Sequence, residues 1–257
     1  MTNERFHSED EVLVERQERV LIVTLNRPSV LNAINGAMAQ GIGAAISRLD
    51  EDSDLSVGIL TGVGRGFCSG MDLKGFGRGE NIDHLTSFLA NGSKKPLIAA
   101  IEGFALGGGL ELALTCDLLV AASGARLGIP EISFGLLAAG GGLLRLPIRV
   151  GYSKAMEMAL TGDPISAEEG LQLGLVSRLA AKGEAIEVAL QLAERITRNA
   201  PLAIAVSKQV IRSVPGRPES ELWSLQRHAQ RPVFTSNDAK EGAKAFAEKR
   251  SPLWTGT

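Results

Sequence analysis

The pattern of apolar and polar positions changes character about 180 residues into the chain. Before that point, short apolar runs typical of buried strands alternate with stretches in which apolar residues recur at helical spacing. Residues 12–14 and 20–25 flank a polar segment and predict an antiparallel hairpin, and residues 36–50 predict a helix. Beyond it the pattern is helical. The pattern therefore predicts an α/β unit over residues 1–180 and an all-helical region over residues 181–257.

One strand-to-helix connection stands out in the first unit. The apolar run at residues 96–101 predicts a buried strand, and Gly107, Gly108 and Gly109 follow it before a run of helix formers that contains Glu111. Glycines allow close backbone approach, and the unpaired N–H groups at a helix start favour an anion or a developing oxyanion. Tight packing of a helix on a sheet also uses glycines, so this stretch alone leaves both interpretations open.

Composition narrows the class of protein. The chain has 257 residues, of which 44% are hydrophobic, enough for one large domain with a substantial core. Its 27 Lys and Arg residues balance 29 Asp and Glu residues, which gives no electrostatic footprint for nucleic acid or an anionic membrane. The two cysteines form no C-x-x-C pair, and neither an apolar leader segment nor a membrane-length apolar run is present. We therefore expect a cytoplasmic protein without a membrane partner.

Two glutamates are candidates for acid–base chemistry. Glu111 and Glu131 both lie among apolar residues, where a charged side chain is uncommon unless it is paired or functional. Burial raises the pKa of a carboxyl group towards the range where it can both give and take a proton. Two such groups facing one substrate could protonate one atom while activating water for another. Alternatively, each glutamate caps a helix or pairs with an arginine such as Arg126 or Arg145.

Motifs for other chemistries are incomplete. The glycine-rich residues 61–70 have Phe67 where a dinucleotide fingerprint needs its last glycine, and Ser69 is not centred in a G-x-S-x-G elbow. The three histidines have no metal-ligand spacing, so no metal site is expected. Residues 75–80 are polar and glycine-rich, which predicts a mobile surface loop. Arg27 either contacts a ligand phosphate or is a solvated surface charge.

Six motifs follow one another over nearly the whole chain. They are Asn26-Arg27-Pro28 with Asn32-Ala33, Ser69-Gly70-Met71-Asp72-Leu73, residues 103–111, Pro130-Glu131, residues 140–147 and residues 241–252. In this order they resemble the successive motifs of the enoyl-CoA hydratase/isomerase (crotonase) family, and six together are far more specific than one. With glutamate at both carboxylate positions, the chain is most similar to the two-glutamate enoyl-CoA hydratases.

The resemblance implies an α/β fold with a crotonase-like spiral of ββα repeats. The spiral, with the active site, would occupy residues 1–180, and residues 181–257 would form a helical oligomerisation region. The family assembles trimers, often stacked in pairs, so we expect a homotrimer or a homohexamer. The implied substrate is an acyl-CoA thioester. Coenzyme A is then part of the substrate, and neither a metal nor a separate cofactor is expected.

The resemblance also implies roles for individual residues. The backbone N–H groups of Met71 and Gly108 would form an oxyanion hole for the thioester enolate. Glu111 would act as the base towards water, and Glu131 would deliver a proton to Cα. The implied reaction is syn addition of water to a trans-2-enoyl-CoA, which gives 3-hydroxyacyl-CoA. The substrate-binding positions carried over from the motifs are Arg27, Ala33, Ser69, Gly70, Asp72, Leu73, Gly107 and Pro130, and position 139 carries Ala139 instead of a glycine.

Two departures from the family pattern leave the substrate open. Met71 replaces a small residue and could narrow the acyl pocket, and Ala138 stands where the family often has proline. The pattern around Met71 is also similar to that of dehydratases that act on carnitinyl-CoA. The alternatives are therefore a carnitinyl-CoA-type dehydratase, an enoyl-CoA isomerase of the same family, or a non-catalytic acyl-CoA binder. The two intact glutamates argue against the last.

Overall fold

The computed structural model describes residues 10–257, so His7 and the beginning of the charged N-terminal segment lie outside the described residues. The strands are β1 (Val12–Gln17), β2 (Val20–Leu25), β3 (Val57–Gly62), β4 (Leu97–Ile101), β5 (Phe104–Leu106), β6 (Leu118–Ala122), β7 (Arg126–Gly128), β8 (Ile165–Ser166) and β9 (Arg178–Ala180). The helices are α1 (Gly36–Glu51), α2 (Leu73–Gly77), α3 (Thr86–Asn91), α4 (Gly108–Thr115), α5 (Gly142–Val150), α6 (Tyr152–Thr161), α7 (Ala167–Gln172), α8 (Ala185–Thr197), α9 (Pro201–Arg212), α10 (Glu219–Phe234) and α11 (Asn237–Glu248).

Six strands form one sheet in the order β1-β2-β3-β4-β6-β9. The predicted hairpin is confirmed, because β1 and β2 are antiparallel with Val12 opposite Leu25. Every other neighbouring pair in this sheet is parallel. All five residues of β4 are buried, as expected for a central strand that is covered on both faces.

A second, smaller layer of strands carries the segments that form the site. It contains β5, β7 and β8, and two isolated parallel bridges, Ile34 with Met71 and Cys68 with Ala105, extend it. One complete repeat is β4–β5–α4, in which a strand of the large sheet leads to a strand of the small layer and then to a helix. The expected α/β spiral of ββα repeats is therefore confirmed, and it brings the residues after Cys68 beside the start of α4.

Helix α8 covers the back of the large sheet. Its buried residues Ala185, Ala189 and Ala193 recur every four positions, so they form one face of small side chains. This face packs with a second buried cluster that includes Ile59, Ile98 and other residues of the large sheet. Helix α8 is thus packed as part of the α/β body, although it lies beyond residue 180.

The last three helices bury few side chains of their own. No residue of α9 or α10 is buried, and α11 buries only Asp238 and Ala245. Large apolar side chains remain exposed in this region: Ile211, Val214, Trp223, Phe234, Phe246 and Leu253. None of these helices, nor any other within residues 10–257, is long and apolar enough to cross a membrane. The C-terminal helices therefore carry apolar surface that a single chain does not cover.

A short helix occupies part of the segment predicted as a mobile loop over residues 75–80. Helix α2 ends at Gly77 and begins at Leu73, after Asp72, whose Oδ1 accepts hydrogen bonds from the N–H groups of Lys74 (3.1 Å) and Gly75 (3.2 Å). An aspartate at this position satisfies N–H groups that a helix start otherwise leaves unpaired. The loop prediction was wrong for residues 75–77, because the hydrogen bonds from Asp72 stabilise the start of a helix despite the glycines.

Candidate active site

A cavity of about 710 Å³ lies where the second layer meets the start of α4. Its polar side chains are those of Ser69, Glu111 and Glu131. The rest of the wall consists of glycines and apolar side chains: Ile34, Met71, Leu73, Phe76, Ile82, Leu85, Leu89, Gly108, Leu112, Pro130, Ile132, Phe134, Gly135, Leu136, Leu137, Ala139 and Gly140. A concave, mostly apolar wall with few converging polar groups is typical of a small-molecule site.

Glu111 projects from the first turn of α4 and is only 5% exposed. Its Oε1 accepts a hydrogen bond from the N–H of Gly142 at 2.9 Å. A Cβ added to Gly140 would lie 2.7 Å from Oε2, so that position has room only for a glycine while the carboxylate stays in place. Burial raises the pKa of Glu111, and the N–H groups of Gly142 and Gly140 with the charge of Arg145 oppose that rise. Two of the three glycines at residues 140–142 therefore lie against this carboxylate.

Glu131 follows Pro130 in a short 3-10 helix, Pro130–Phe134, and is half-buried. Its Oε2 has no hydrogen-bond partner among the described residues. Burial raises the pKa of Glu131, its own backbone N–H lowers it, and the nearby charge of Glu111 raises it further. Two carboxyl groups placed this way favour a state in which they hold one proton between them.

Neither glutamate has the arginine partner that the sequence left open. Among residues 10–257, no ion pair within 4.0 Å joins Glu111 or Glu131 to Arg126 or Arg145. Both carboxyl groups instead face the same cavity. The alternative of a structural ion pair therefore finds no support at either position.

Two residues of the cavity wall, Met71 and Gly108, lie close together and have free backbone N–H groups. Gly108 is the first residue of α4, and a Cβ placed on it would lie 3.5 Å from the nitrogen of Met71. A Cβ placed on Gly70, where φ is +107°, would lie 3.3 Å from the nitrogen of Gly108. Neither N–H donates a hydrogen bond to another described residue. The site therefore has two adjacent free donors, which is the arrangement that an oxyanion requires.

The Met71 donor is left free by the bridge to Ile34. The N–H of Ile34 donates to the carbonyl of Gly70 at 2.8 Å, and the N–H of Asp72 donates to the carbonyl of Ile34 at 2.9 Å. Both bonds use the edge that faces Ile34. In an extended strand successive N–H groups point to opposite sides, so the N–H of Met71 points away from Ile34.

Arg27 is held by protein partners. Its guanidinium forms ion pairs with Glu11 (3.2 Å) and Asp72 (3.3 Å) and donates to the carbonyl of Ala33 at 2.5 Å. The side chain is only 17% exposed. The N–H of Gly75 and the charge of Arg27 hold the pKa of Asp72 below its usual range. In this structure Arg27 thus links the loop that contains Ala33 to the N-terminus of α2.

The other predicted substrate-binding residues divide into two groups. Ser69, Leu73, Pro130 and Ala139 line the cavity. Gly70, Gly107, Asp72 and Ala33 do not line it. Gly70 and Gly107 have positive φ and directly precede Met71 and Gly108, whose N–H groups are free.

Asn32 is an organising residue to which the sequence analysis gave no role. It is fully buried with φ of +56°, and its Nδ2 donates to the carbonyls of Val63, Gly66 and Phe67 at 2.9–3.1 Å. Its Oδ1 accepts from the N–H of Arg27 at 2.8 Å. Asparagine tolerates the left-handed region better than most residues, and that preference was the available signal. Asn32 therefore ties two loops together below the site.

The described part of the chain has neither a cluster of metal-ligand side chains nor an exposed thiol. No group of three or more His, Cys, Asp or Glu side chains is placed there to hold a metal ion. Both thiols are buried, and burial raises their pKa values, that of Cys68 to about 12. A thiol with such a pKa is a poor nucleophile. The polar groups of the cavity are the carboxyl groups of Glu111 and Glu131, the hydroxyl of Ser69 and the two free N–H groups.

Comparisons with known proteins identify the family. A model of the enoyl-CoA hydratase/isomerase family matches residues 15–257. The enoyl-CoA hydratase EchA19 of Mycobacterium tuberculosis is 40% identical over 253 residues, which cover 94% of this chain and 95% of that protein. The carnitinyl-CoA dehydratase of Salmonella typhi is 39% identical over 255 residues, which cover 94% of this chain and 97% of that protein.

A solved structure gives the same result at the level of the fold. The crystal structure of an enoyl-CoA hydratase from Mycobacterium tuberculosis H37Rv superposes with a TM-score of 0.94 at 53% sequence identity. The match covers 97% of this chain and all of the other. The expected family is therefore confirmed: the chain belongs to the enoyl-CoA hydratase/isomerase family.

Proposed function

We propose that the protein is an enoyl-CoA hydratase that adds water syn to a trans-2-enoyl-CoA and gives 3-hydroxyacyl-CoA. The observation that carries this proposal is that Glu111, Glu131 and the residues of the two free N–H groups all line one cavity. Hydration needs a base for water, an acid for Cα and a site for the enolate oxygen, and the cavity offers one of each. Coenzyme A enters as part of the substrate, so no separate cofactor is required.

The two backbone donors would bind the thioester carbonyl oxygen. Hydrogen bonds from Met71 and Gly108 withdraw electron density from the conjugated system and make Cβ electrophilic. As water attacks Cβ, negative charge develops on the thioester oxygen, and the two N–H groups would stabilise it. The donors belong to a bridged strand and to a helix start, so they need little rearrangement during the reaction.

Burial is the largest cause acting on both glutamates and raises both pKa values, but their remaining surroundings differ. Glu111 accepts a hydrogen bond from Gly142 and feels the positive charge of Arg145, and both stabilise its ionised form. Glu131 has an unpartnered Oε2 and a like charge nearby, and both favour its protonated form. We therefore assign Glu111 as the base and Glu131 as the acid.

This assignment balances the protons of the reaction. Glu111 removes a proton from water while the water oxygen bonds to Cβ, and the π electrons move onto the thioester oxygen. When the enolate collapses, the proton on Glu131 goes to Cα. Water has then been added across the double bond, Glu111 is protonated and Glu131 is ionised. Transfer of one proton from Glu111 to Glu131, directly or through solvent, restores the starting state.

The cavity wall favours an apolar acyl chain over one that ends in a carboxylate. No Lys or Arg side chain among the described residues contributes to the lining. We therefore expect trans-2-hexenoyl-CoA to be hydrated with a kcat/KM at least about 100-fold higher than its ω-carboxylated counterpart, since burying an unpaired charge costs several kcal/mol. The two substrates have the same chain length, so their comparison isolates the charge. Equal kcat/KM values would contradict this assignment of the acyl site.

Identification of the product separates hydration from the other reactions of the family. The proposal predicts that a trans-2-enoyl-CoA gains the mass of one water and becomes a 3-hydroxyacyl-CoA. An isomerase would instead return a product of unchanged mass with a shifted double bond. A non-catalytic binder would return the substrate unchanged.

We also propose that the chain assembles as a homotrimer or as a pair of stacked trimers. The support is the exposed apolar side chains of the C-terminal helices, among them Phe234 at 72% and Phe246 at 88% exposure. The expected result is a sedimentation mass of three or six times the 27.1 kDa of one chain at micromolar concentration. A mass of one chain would contradict it.

A further inference from the structure

Arg145 bridges two separate segments of the cavity wall. It lies in α5 and is half-buried. One terminal nitrogen donates to the carbonyl of Leu89 in α3, and the other donates to the carbonyl of Gly140 at 3.2 Å. Leu89 and Gly140 both line the cavity. One guanidinium fork therefore fixes the distance between α3 and the turn that precedes α5.

That turn is the same one that holds Glu111. Gly142 donates to Oε1 of Glu111, and Gly140 packs against Oε2 so closely that a Cβ would lie 2.7 Å away. Between them, Gly141 has a φ of +104°, and a side chain there would collide with the guanidinium of Arg145. The turn and Arg145 are thus fitted to each other, and a shift of the turn would move the Gly142 N–H that donates to Oε1.

Arg145 also contributes charge. Glu111 is faced by the positive charge of Arg145 and by the carboxyl group of Glu131. Arg145 itself is faced by Arg149, Arg212 and Glu111. We propose, on the basis of the hydratase function proposed above, that Arg145 is a positioning residue that holds Glu111 in its reactive place through the Gly140–142 turn.

The matched pair Arg145→Met and Arg149→Met tests this proposal. Arg149 lies one turn further along α5, is also half-buried, and also binds backbone carbonyls, those of Leu114 (3.2 Å) and Cys116 (2.8 Å). A purely structural role predicts similar effects of both substitutions. We expect Arg145→Met to lower kcat about 10- to 100-fold, since small misplacements of a catalytic group have effects of this size. Arg149→Met is expected to keep a kcat close to that of the wild type.

The pH profile supplies a measurement that a structural role would not change. Glu111 must be ionised to accept a proton, so kcat/KM rises with pH through its pKa. Loss of the positive charge of Arg145 raises that pKa, so the acid limb of Arg145→Met moves to higher pH. Arg145→Lys keeps the charge but cannot span both carbonyls, so its kcat falls while its acid limb stays in place.

A carboxyl ¹³C titration of Glu111, assigned with Glu111→Gln, measures the same pKa without turnover. It tests the proposal even if the wild type hydrates no enoyl-CoA, an outcome that would overturn the proposed function alone. Wild-type kcat in Arg145→Lys, or an unchanged Glu111 titration in Arg145→Met, would overturn the positioning role. If Arg145→Met does not fold, the kcat of Arg145→Lys decides.

Discussion

The variant Glu131→Gln is expected to hydrate a trans-2-enoyl-CoA with a kcat about 10³-fold below that of the wild type, within the usual range for a lost general acid. An amide has the shape of the carboxyl group but does not deliver a proton to Cα at a useful rate. The half-buried site already holds this group without a partner for Oε2, so the neutral amide should be tolerated. Steady-state kinetics should therefore show a lower kcat with little change in KM.

Glu80→Gln provides the matched control for this variant. Glu80 pairs with Arg78 at 2.6 Å near the cavity but does not line it. We expect its kcat to equal that of the wild type. A Glu131→Gln variant that also retains the wild-type kcat would show that Glu131 is not the acid that protonates Cα. The different surroundings of Glu111 and Glu131 would then not determine their catalytic roles.

Substitution of Gly108 by proline is expected to lower kcat by about 10²–10³, the usual effect of losing one oxyanion-hole donor. Gly108 is the first residue of α4, a position where proline is well accepted because its N–H has no partner within the helix. The substitution therefore removes the donor, and places the proline ring where the N–H pointed, without breaking α4. Circular dichroism and thermal unfolding should show a folded protein.

Gly108→Ala keeps the N–H and serves as the comparison. An added Cβ would lie 3.5 Å from the nitrogen of Met71 and 3.6 Å from Cδ1 of Ile34, which are ordinary van der Waals contacts. The alanine variant is therefore expected to lose much less activity than the proline variant. Equal activity of the two variants would show that the Gly108 N–H does not bind the oxyanion.

Local sequence features predicted the elements that present the chemistry. The apolar run before Gly103 predicted strand β4, and the glycines before Glu111 predicted the start of α4. Both predictions succeeded because burial, chain reversal and helix formation depend mainly on neighbouring residues at these positions. The structure repeats this pattern at residues 140–142, which lead into α5. The burial of Glu111 and Glu131 was also predictable, because both stand among apolar neighbours.

Features that depend on distant partners were missed. Strand β5, Phe104–Leu106, has only three residues and forms because it pairs with β7. No pattern in the neighbouring residues predicts this pairing. Arg145 was considered as an ion-pair partner of the glutamates, yet it binds the carbonyls of Leu89 and Gly140. The choice among these partners depends on where α3 and α5 pack, and that information is not contained in a window of sequence.

Loss of the enoyl chromophore tests most directly whether the protein is a hydratase with Glu111 as its base. The conjugated enoyl thioester absorbs in the ultraviolet, and hydration removes that absorbance. Crotonyl-CoA and a longer trans-2-enoyl-CoA should be consumed rapidly by the wild type and, under the same conditions, about 10²–10⁴-fold more slowly by Glu111→Gln, which keeps the shape of Glu111 but cannot act as its base. Loss of absorbance at the same rate with both proteins, or no loss with the wild type despite measurable binding of coenzyme A, would contradict a hydratase that works through Glu111.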